Sequence, residues 1–324
     1  MAEKRTAILH LGTYKTGSSS LQNTLYANRD ALFRAGVLYP EAGLVKNPEV
    51  GHRHRRLLAR FMRDEAAPYA MRSLRRELKE TPHSKVVISS EAWSHPRYLP
   101  MLGGFTTELA DIGFDRIAGI AFLRRLSDYK VSYYRQFTMR RGNAVPYPKY
   151  VHLQGQMGVF DYLHIARNFH AIFGEALTVL NYAQTGDTTS RFMQAAGLQG
   201  ILPATQNESR ANVKSDGALG AEVLRRTNKH GIEPAQGRVF LAYFRERHPD
   251  LFVQNWTERV APEQKRYGRG YRSALAQVLG WPRDEVQALL EDRPVEGRPV
   301  AEASKIIETA LKDWRASQGS SPAA

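Results

Sequence analysis

The chain has 324 residues, 42% hydrophobic and 10% aromatic, enough to bury a sizeable core. It contains no cysteine, which excludes disulfides, thiolate metal sites and a thiol nucleophile and is compatible with a reducing compartment. With 46 lysines and arginines against 32 acidic residues its formal charge is +14, which favours an anionic partner: a nucleotide, an acidic glycan, a nucleic acid or an anionic membrane face.

The opening MAEKRTAILHLG has too short an apolar run for a secretory leader, and no stretch reaches the roughly 20 apolar residues that a membrane span needs. The expectation is a soluble, cytoplasmic protein without a membrane span, for which an anionic membrane face is at most a peripheral partner. Basic clusters from His52 to Arg56, Arg72 to Arg76 and Lys265 to Arg269 read first as solvated faces.

In chain order, Thr6 to Leu11 is a short apolar run closed by Gly12, followed by small hydroxyl residues and a helical period at Leu21, Leu25, Leu32 and Phe33. That pattern predicts a strand, a loop and a helix running to Arg34, with Gly36 suited to end it. Val37-Leu38-Tyr39 before Pro40 predicts a second strand, and basic, partly helical sequence fills residues 51–80. Lys85 to Ser90, Ile117 to Leu123 and Leu177 to Leu180 read as further buried strands with helical sequence between them.

The alternation predicts the α/β class, a three-layer sandwich with a central parallel sheet covered on both faces. From about residue 198 the pattern is helical without clear strands, with Val300, Ile306, Ile307, Leu311 and Trp314 on one stripe. The expected organisation is an α/β core over 1–200, a helical C-terminal part of the same domain over 201–317 and a disordered tail at 318–324.

The segment Gly12-Thr13-Tyr14-Lys15-Thr16-Gly17-Ser18-Ser19-Ser20 falls at the carboxyl end of a strand and the amino end of a helix, where unpaired N–H groups and the helix dipole favour an anion. Gly17 allows close backbone approach, the hydroxyls of Thr16, Ser18 and Ser19 can donate to phosphate or sulfate oxygens, and Lys15 adds a full charge. The lysine precedes the second glycine, unlike the Gly-Lys-[Ser/Thr] order that closes a nucleoside-triphosphate loop.

At Tyr14-Lys15-Thr16-Gly17-Ser18-Ser19 the sequence resembles the sulfotransferase superfamily, whose first donor-binding loop runs lysine, small hydroxyl residue, glycine, then hydroxyl residues. LHLGTYKTGSSSLQ followed by GVLYP resembles a bacterial, carbohydrate-type branch of it. The family also carries a strand-end arginine and a serine eight residues later, matched by Arg124 and Ser132, although Arg125-Leu126 stands where many members have Asn-Pro. Phe160-Asp161-Tyr162 and Phe173-Gly174 extend the likeness over most of residues 6–185.

The resemblance implies a P-loop NTPase-like sulfotransferase fold and, as sulfate donor, 3′-phosphoadenosine 5′-phosphosulfate (PAPS), with no metal required. Thr13, Tyr14, Lys15, Thr16, Gly17, Ser18, Ser19 and Ser20 would hold the 5′-phosphosulfate, and Arg124 with Ser132 the 3′-phosphate. Lys15 would stabilise the leaving group, and the acceptor would be a saccharide or glycolipid hydroxyl, or an amine.

Loss of a proton from the acceptor calls for a base. Glu91 is the first candidate because it directly follows a strand, and ligand sites in such sheets lie beyond the carboxyl ends of strands. Glu41, shortly after the second strand, and the pair His52 and His54 are further candidates. Asn207 to Lys214 is a candidate loop to close over the adenosine, or an interdomain loop.

Two other readings compete: a kinase-like phosphoryl-transfer enzyme and a non-catalytic basic adaptor for acidic glycans. The first lacks the glycine-lysine-hydroxyl order and a strand-end aspartate for Mg²⁺. Nothing resembles a nucleic-acid recognition motif, and no ligand-spaced His/Asp/Glu cluster suggests a metal.

Overall fold

The computed structural model describes residues 4–47, 51–61, 67–81, 83–202, 217–259, 267–292 and 295–319. In chain order the elements are β1 (Thr6–His10), α1 (Ser18–Ala27), α2 (Arg29–Arg34), β2 (Val37–Leu38), α3 (Ala67–Glu80), β3 (Lys85–Ser89), α4 (Leu102–Asp111) and β4 (Arg116–Leu123). There follow α5 (Leu126–Arg141), α6 (Tyr147–Gln156), α7 (Tyr162–Phe173), β5 (Leu177–Asn181), α8 (Thr188–Ala195), α9 (Gly217–Lys229) and α10 (Pro234–Arg247). The last are α11 (Pro249–Phe252), β6 (Trp256–Thr257), α12 (Arg269–Leu279), α13 (Arg283–Leu290), β7 (Arg298–Pro299) and α14 (Ser304–Gly319).

Contacts divide the chain into two compact units. The first is built from Met1–Arg125, Gly158–Gln206 and Tyr267–Leu290, the second from Leu126–Met157, Asn207–Arg266 and Glu291–Ala324.

The first unit holds a five-stranded, all-parallel sheet in the order β2-β3-β1-β4-β5. β1 sits between β3 and β4, with Thr6 opposite Lys85 on one side and Arg116 on the other. Its apolar run is therefore buried on both faces, the reason it is continuous rather than alternating. The chain leaves β1 towards β2 and later crosses from β3 to β4 on the other side. The carboxyl end of β1 is thus the topological switch point, where open α/β sheets place ligands.

On one face, Ile8, Val87, Ile120 and Phe122 pack against Leu21 and Leu25 of α1, Leu32 of α2 and Phe192 and Met193 of α8. The other face carries α4 and α7. There Gly119 leaves room for α7: a Cβ on it would stand 2.8 Å from the Phe173 ring and 3.0 Å from Leu11 Cδ1. This is the three-layer α/β arrangement that the alternation predicts.

Residues 267–290 belong to this unit although they lie within the expected C-terminal helical part. Tyr271 explains how: its hydroxyl accepts from the Leu163 N–H (2.9 Å) and donates to Asp161 Oδ1 (3.0 Å), the atom that caps α7 by accepting from His164 N–H.

The second unit packs α9, α10 and α14 around Phe240, Phe244, Ile307 and Trp314. On α5, Tyr129 and Tyr133 are buried, and Tyr133 stacks on Phe137 with ring centres 4.5 Å apart.

Four details differ from the sequence pattern. The expected helix from Leu21 to Arg34 breaks at Asn28, whose side-chain amide donates to the Thr24 carbonyl (2.8 Å) that its own N–H also uses (3.1 Å). Ile306 points away from the stripe that buries Val300, Ile307, Leu311 and Trp314, and is 39% exposed. β6 and β7 form a parallel two-residue pair in a region expected to lack strands. Helix α14 runs through Gly319, so residues 318 and 319 of the expected tail are helical; the remainder lies outside the described residues. The Asn207 to Lys214 stretch also lies outside them. Among the described residues no helix is long and apolar enough to cross a membrane.

Gly119→Val should destabilise the protein by about 1–3 kcal/mol, the usual cost of overpacking, because the Phe173 ring must move. Gly104→Ala, on the exposed side of α4 with nothing within 4 Å, should leave the urea midpoint unchanged or slightly raised. Urea titration of both variants checks the pair.

Candidate functional site

The loop after β1 is held from beneath by β4. Pairing continues beyond the strand: the Leu11 N–H donates to Ile120 O (2.8 Å), Phe122 N–H to Gly12 O (2.6 Å) and Thr13 N–H to Phe122 O (3.0 Å). The Thr13 hydroxyl donates to the same Phe122 carbonyl, also at 3.0 Å. At Gly12 the backbone has φ +90°, and a Cβ would lie 2.9 Å from Glu91 Cα, so only glycine fits between loop and Glu91.

Beyond Thr13 the chain turns sharply. The Thr16 and Ser18 hydroxyls donate to the Thr13 carbonyl at 2.7 and 3.3 Å. Lys15 adopts φ +65°, a left-handed conformation that costs a non-glycine residue about 1 kcal/mol or more and is kept where surroundings impose it. Gly17 follows at φ +80°, and a Cβ on it would stand 2.5 Å from Thr188 Oγ1 of α8, which donates to Thr16 O (3.2 Å).

α1 then starts at Ser18 with no side-chain cap, so its first N–H groups and the positive end of its dipole are presented at the loop. Thr13 and Thr16 are buried, Tyr14, Lys15 and Ser19 half-buried and Ser20 exposed. The Thr16 and Ser18 protons shape the loop itself, a role the sequence pattern does not distinguish from anion binding.

Arg124, directly after β4, lies beside this loop. Its Nη1 donates to the Lys15 carbonyl (3.1 Å), while its own carbonyl accepts from the Tyr162 hydroxyl (2.7 Å). Its guanidinium carbon is 5.5 Å from the Tyr182 ring centre. The structure thus brings Arg124 and Lys15 together from positions 109 apart in the chain. Ser132 lies in the second unit, half-buried on α5 on the same side as Asp128.

The candidate bases separate. Glu91 is 7% exposed and packs against Gly12. Its Oε2 accepts from Gln22 Nε2 (2.9 Å) and its Oε1 from Arg53 Nη1 (3.2 Å). Glu41 is exposed and pairs with Arg29 and, at 2.7 Å, with Lys46.

His54 is fully buried, with Nε2 donating to Pro40 O (2.9 Å) and Nδ1 accepting from Ser89 N–H (3.0 Å). Both ring nitrogens are occupied, and burial holds its pKa down at about 4, so it ties the second strand to the third as a neutral ring. His52 stacks on Tyr26 of α1 (ring centres 4.0 Å apart) and places Nδ1 2.7 Å from Asn23 Oδ1. Its pKa is lowered by partial burial and by Lys46 and Arg29.

The first half of the cluster read as a solvated face is therefore folded in, while Arg56 stays exposed. Gly51 (φ +89°) lies on Ser19 and Gln22, His52 on Tyr26, Arg53 on Glu91 and His54 on Pro40 and Ser89.

Gln22, Ser89 and His10 were not singled out by sequence reasoning. Gln22 is fully buried and donates to Ser89 Oγ (3.1 Å) as well as to Glu91, and Ser89 Oγ is 2.7 Å from His10 Nδ1. The one signal available was a glutamine beside the apolar stripe of α1, one turn after Ser18. His95, also unforeseen, sits with its ring centre 6.4 Å from that of Tyr14.

Two open depressions, of about 590 and 580 Å³, are lined by residues of α10 and α14 and of α12 respectively, and neither includes a residue of the loop. Among the described residues no group of three or more His, Cys, Asp or Glu is placed to hold a metal ion.

No family model and no curated protein matches the chain. Among solved structures it is similar to the crystal structure of a sulfotransferase from Alicyclobacillus acidocaldarius, over 74% of this chain and 100% of that one, at 16% identity and a TM-score of 0.39.

His10 and His54 also make a pH prediction. Burial lowers their pKa to about 3 and about 4, against 6.5 for an unhindered histidine. Below pH 6.5 the unfolded chain takes up protons that the folded one refuses until near pH 4, so stability falls over that interval. The slope near pH 5 should be about 1.4 kcal/mol per pH unit for each histidine. Urea titrations at pH 7, 6 and 5 should show it, and His54→Gln should lower stability at pH 7 while removing about half of the slope.

Proposed function

We propose that this protein is a sulfotransferase that moves a sulfuryl group from PAPS to a hydroxyl or amine acceptor. The observation that carries the reading is the hydrogen bond from Arg124 to the carbonyl of left-handed Lys15, at the uncapped amino end of α1. It gathers two cations and a helix N-terminus at the switch point of a parallel sheet, a setting suited to a ligand with more than one anionic group. PAPS carries a 5′-phosphosulfate and a 3′-phosphate.

In this reading the 5′-phosphosulfate lies against the N–H groups from Lys15 to Ser19, and Arg124 takes the 3′-phosphate. The resemblance gives Ser132 a part in holding that phosphate as well. The acceptor oxygen attacks sulfur in line as the bond from sulfur to the bridging oxygen breaks. Lys15 balances the charge growing on that oxygen, which departs with 3′-phosphoadenosine 5′-phosphate (PAP). Glu91 receives the acceptor's proton, being the candidate base packed against the loop. No step calls on a metal. A saccharide or glycolipid acceptor fits the resemblance and the basic charge of the chain.

Calorimetric titration tests the donor site. PAP should bind the wild type and raise its melting temperature where ATP with Mg²⁺ does not. Lys15→Ala and Arg124→Ala should each weaken PAP binding about 10- to 100-fold, the loss of one charge-assisted contact, and Ser132→Ala should weaken it less. A folded wild type that binds no PAP contradicts the assignment.

A further inference from the structure

Glu91 is held at both oxygens, and the group on Oε2 comes from the helix whose amino end forms the candidate donor site. Ser18 and Gln22 are four residues apart on α1, one turn along the same face. Ser18 donates to Thr13 O inside the loop. One turn on, the two N–H groups of the fully buried Gln22 amide go to Glu91 Oε2 (2.9 Å) and Ser89 Oγ (3.1 Å).

The direction of this amide is set by its partners. Turned over, it would point its carbonyl oxygen at a carboxylate oxygen, and two acceptors repel. Ser89 Oγ is fixed in turn by His10 Nδ1 at 2.7 Å, on the central strand that leads into the loop.

We propose that Gln22 is a positioning residue for Glu91, so that α1 sets the donor anion and the base in one register. The inference rests on the sulfotransferase reading and on Glu91 as its base. A carboxylate offers about four lone-pair sites. Gln22 and Arg53 occupy one on each oxygen, which leaves sites for the acceptor's proton while the plane of the group stays fixed. Gln22 is fully buried and its amide is spent on Glu91 and Ser89. Removing its amide leaves Glu91 in place but free to turn, which slows transfer without weakening donor binding.

The test is a double-mutant cycle on the full chain with Gln22→Met, which keeps length and removes the amide, Glu91→Gln, and both together. Release of PAP from PAPS is measured with a panel of oligosaccharides and with water alone, beside PAP titration and urea midpoints. Gln22→Met should lower kcat about 10- to 100-fold, in the range of a misplaced catalytic group, with acceptor KM and PAP affinity within about twofold. In the Glu91→Gln background it should cause no further loss, because a residue acting only through Glu91 has nothing left to position.

If Gln22→Met lowers the urea midpoint, Gln22→Asn, whose shorter amide cannot reach Glu91, carries the test with the same expectation: lower kcat, unchanged PAP affinity and no added loss beside Glu91→Gln. An active wild type in which the two losses multiply, or in which Gln22→Met leaves kcat unchanged, overturns the role of Gln22 and leaves the transferase reading standing. A wild type that releases no PAP from PAPS overturns that reading and this inference with it.

Discussion

The loop between β1 and α1 keeps its shape because β4 holds it before it turns. Gly12 and Thr13 remain hydrogen-bonded to Phe122 after the strand has ended, and Thr13 then offers its carbonyl to two hydroxyls from further along the loop. This places Lys15 and Gly17 in left-handed conformations and delivers α1 without a side-chain cap. Everything proposed about the site depends on that anchoring, since a preorganised anion site must be rigid before the ligand arrives.

The same strand supplies the second cation. β4 is eight residues long against five for β1, and Arg124 follows at the end of that overhang, beside the Lys15 carbonyl. Charge is arranged with one acid at the edge: Glu91 packs against Gly12 but is paired to Arg53, on the opposite side of β1 from β4. If the loop holds a donor anion as proposed, a carboxylate left unpaired beside it would repel that anion. Pairing Glu91 to Arg53 and Gln22 reduces that repulsion in the proposed arrangement.

Much of the sheet was legible in the sequence because buried parallel strands read as short apolar runs between glycines and helical stretches. The strands at Thr6, Lys85, Arg116 and Leu177 all carry that mark. The break at Asn28 was not legible, since a side chain competing for the Thr24 carbonyl leaves the apolar period intact. Nor was the return of residues 267–290 to the first unit, which depends on Tyr271 meeting Asp161 across 110 positions. Lys15 and Arg124 were singled out by pattern and by resemblance, and the fold brings them together. His54 and Arg53 were read within a charge run, whereas partners on β3, Glu91 and Pro40 fold both residues in. Gln22 escaped notice because a single polar residue beside an apolar stripe is an ordinary surface feature until its neighbours are known.

In the proposed function the β1–α1 loop and Arg124 together form a two-anion site. A crystal structure of the protein with PAP tests it most directly. The 5′-phosphate should lie against the N–H groups from Lys15 to Ser19 with the Lys15 ammonium beside it, and the 3′-phosphate within hydrogen-bond distance of Arg124. Bound nucleotide elsewhere on the protein, with the loop and Arg124 making no contact to it, would rule out a donor site there.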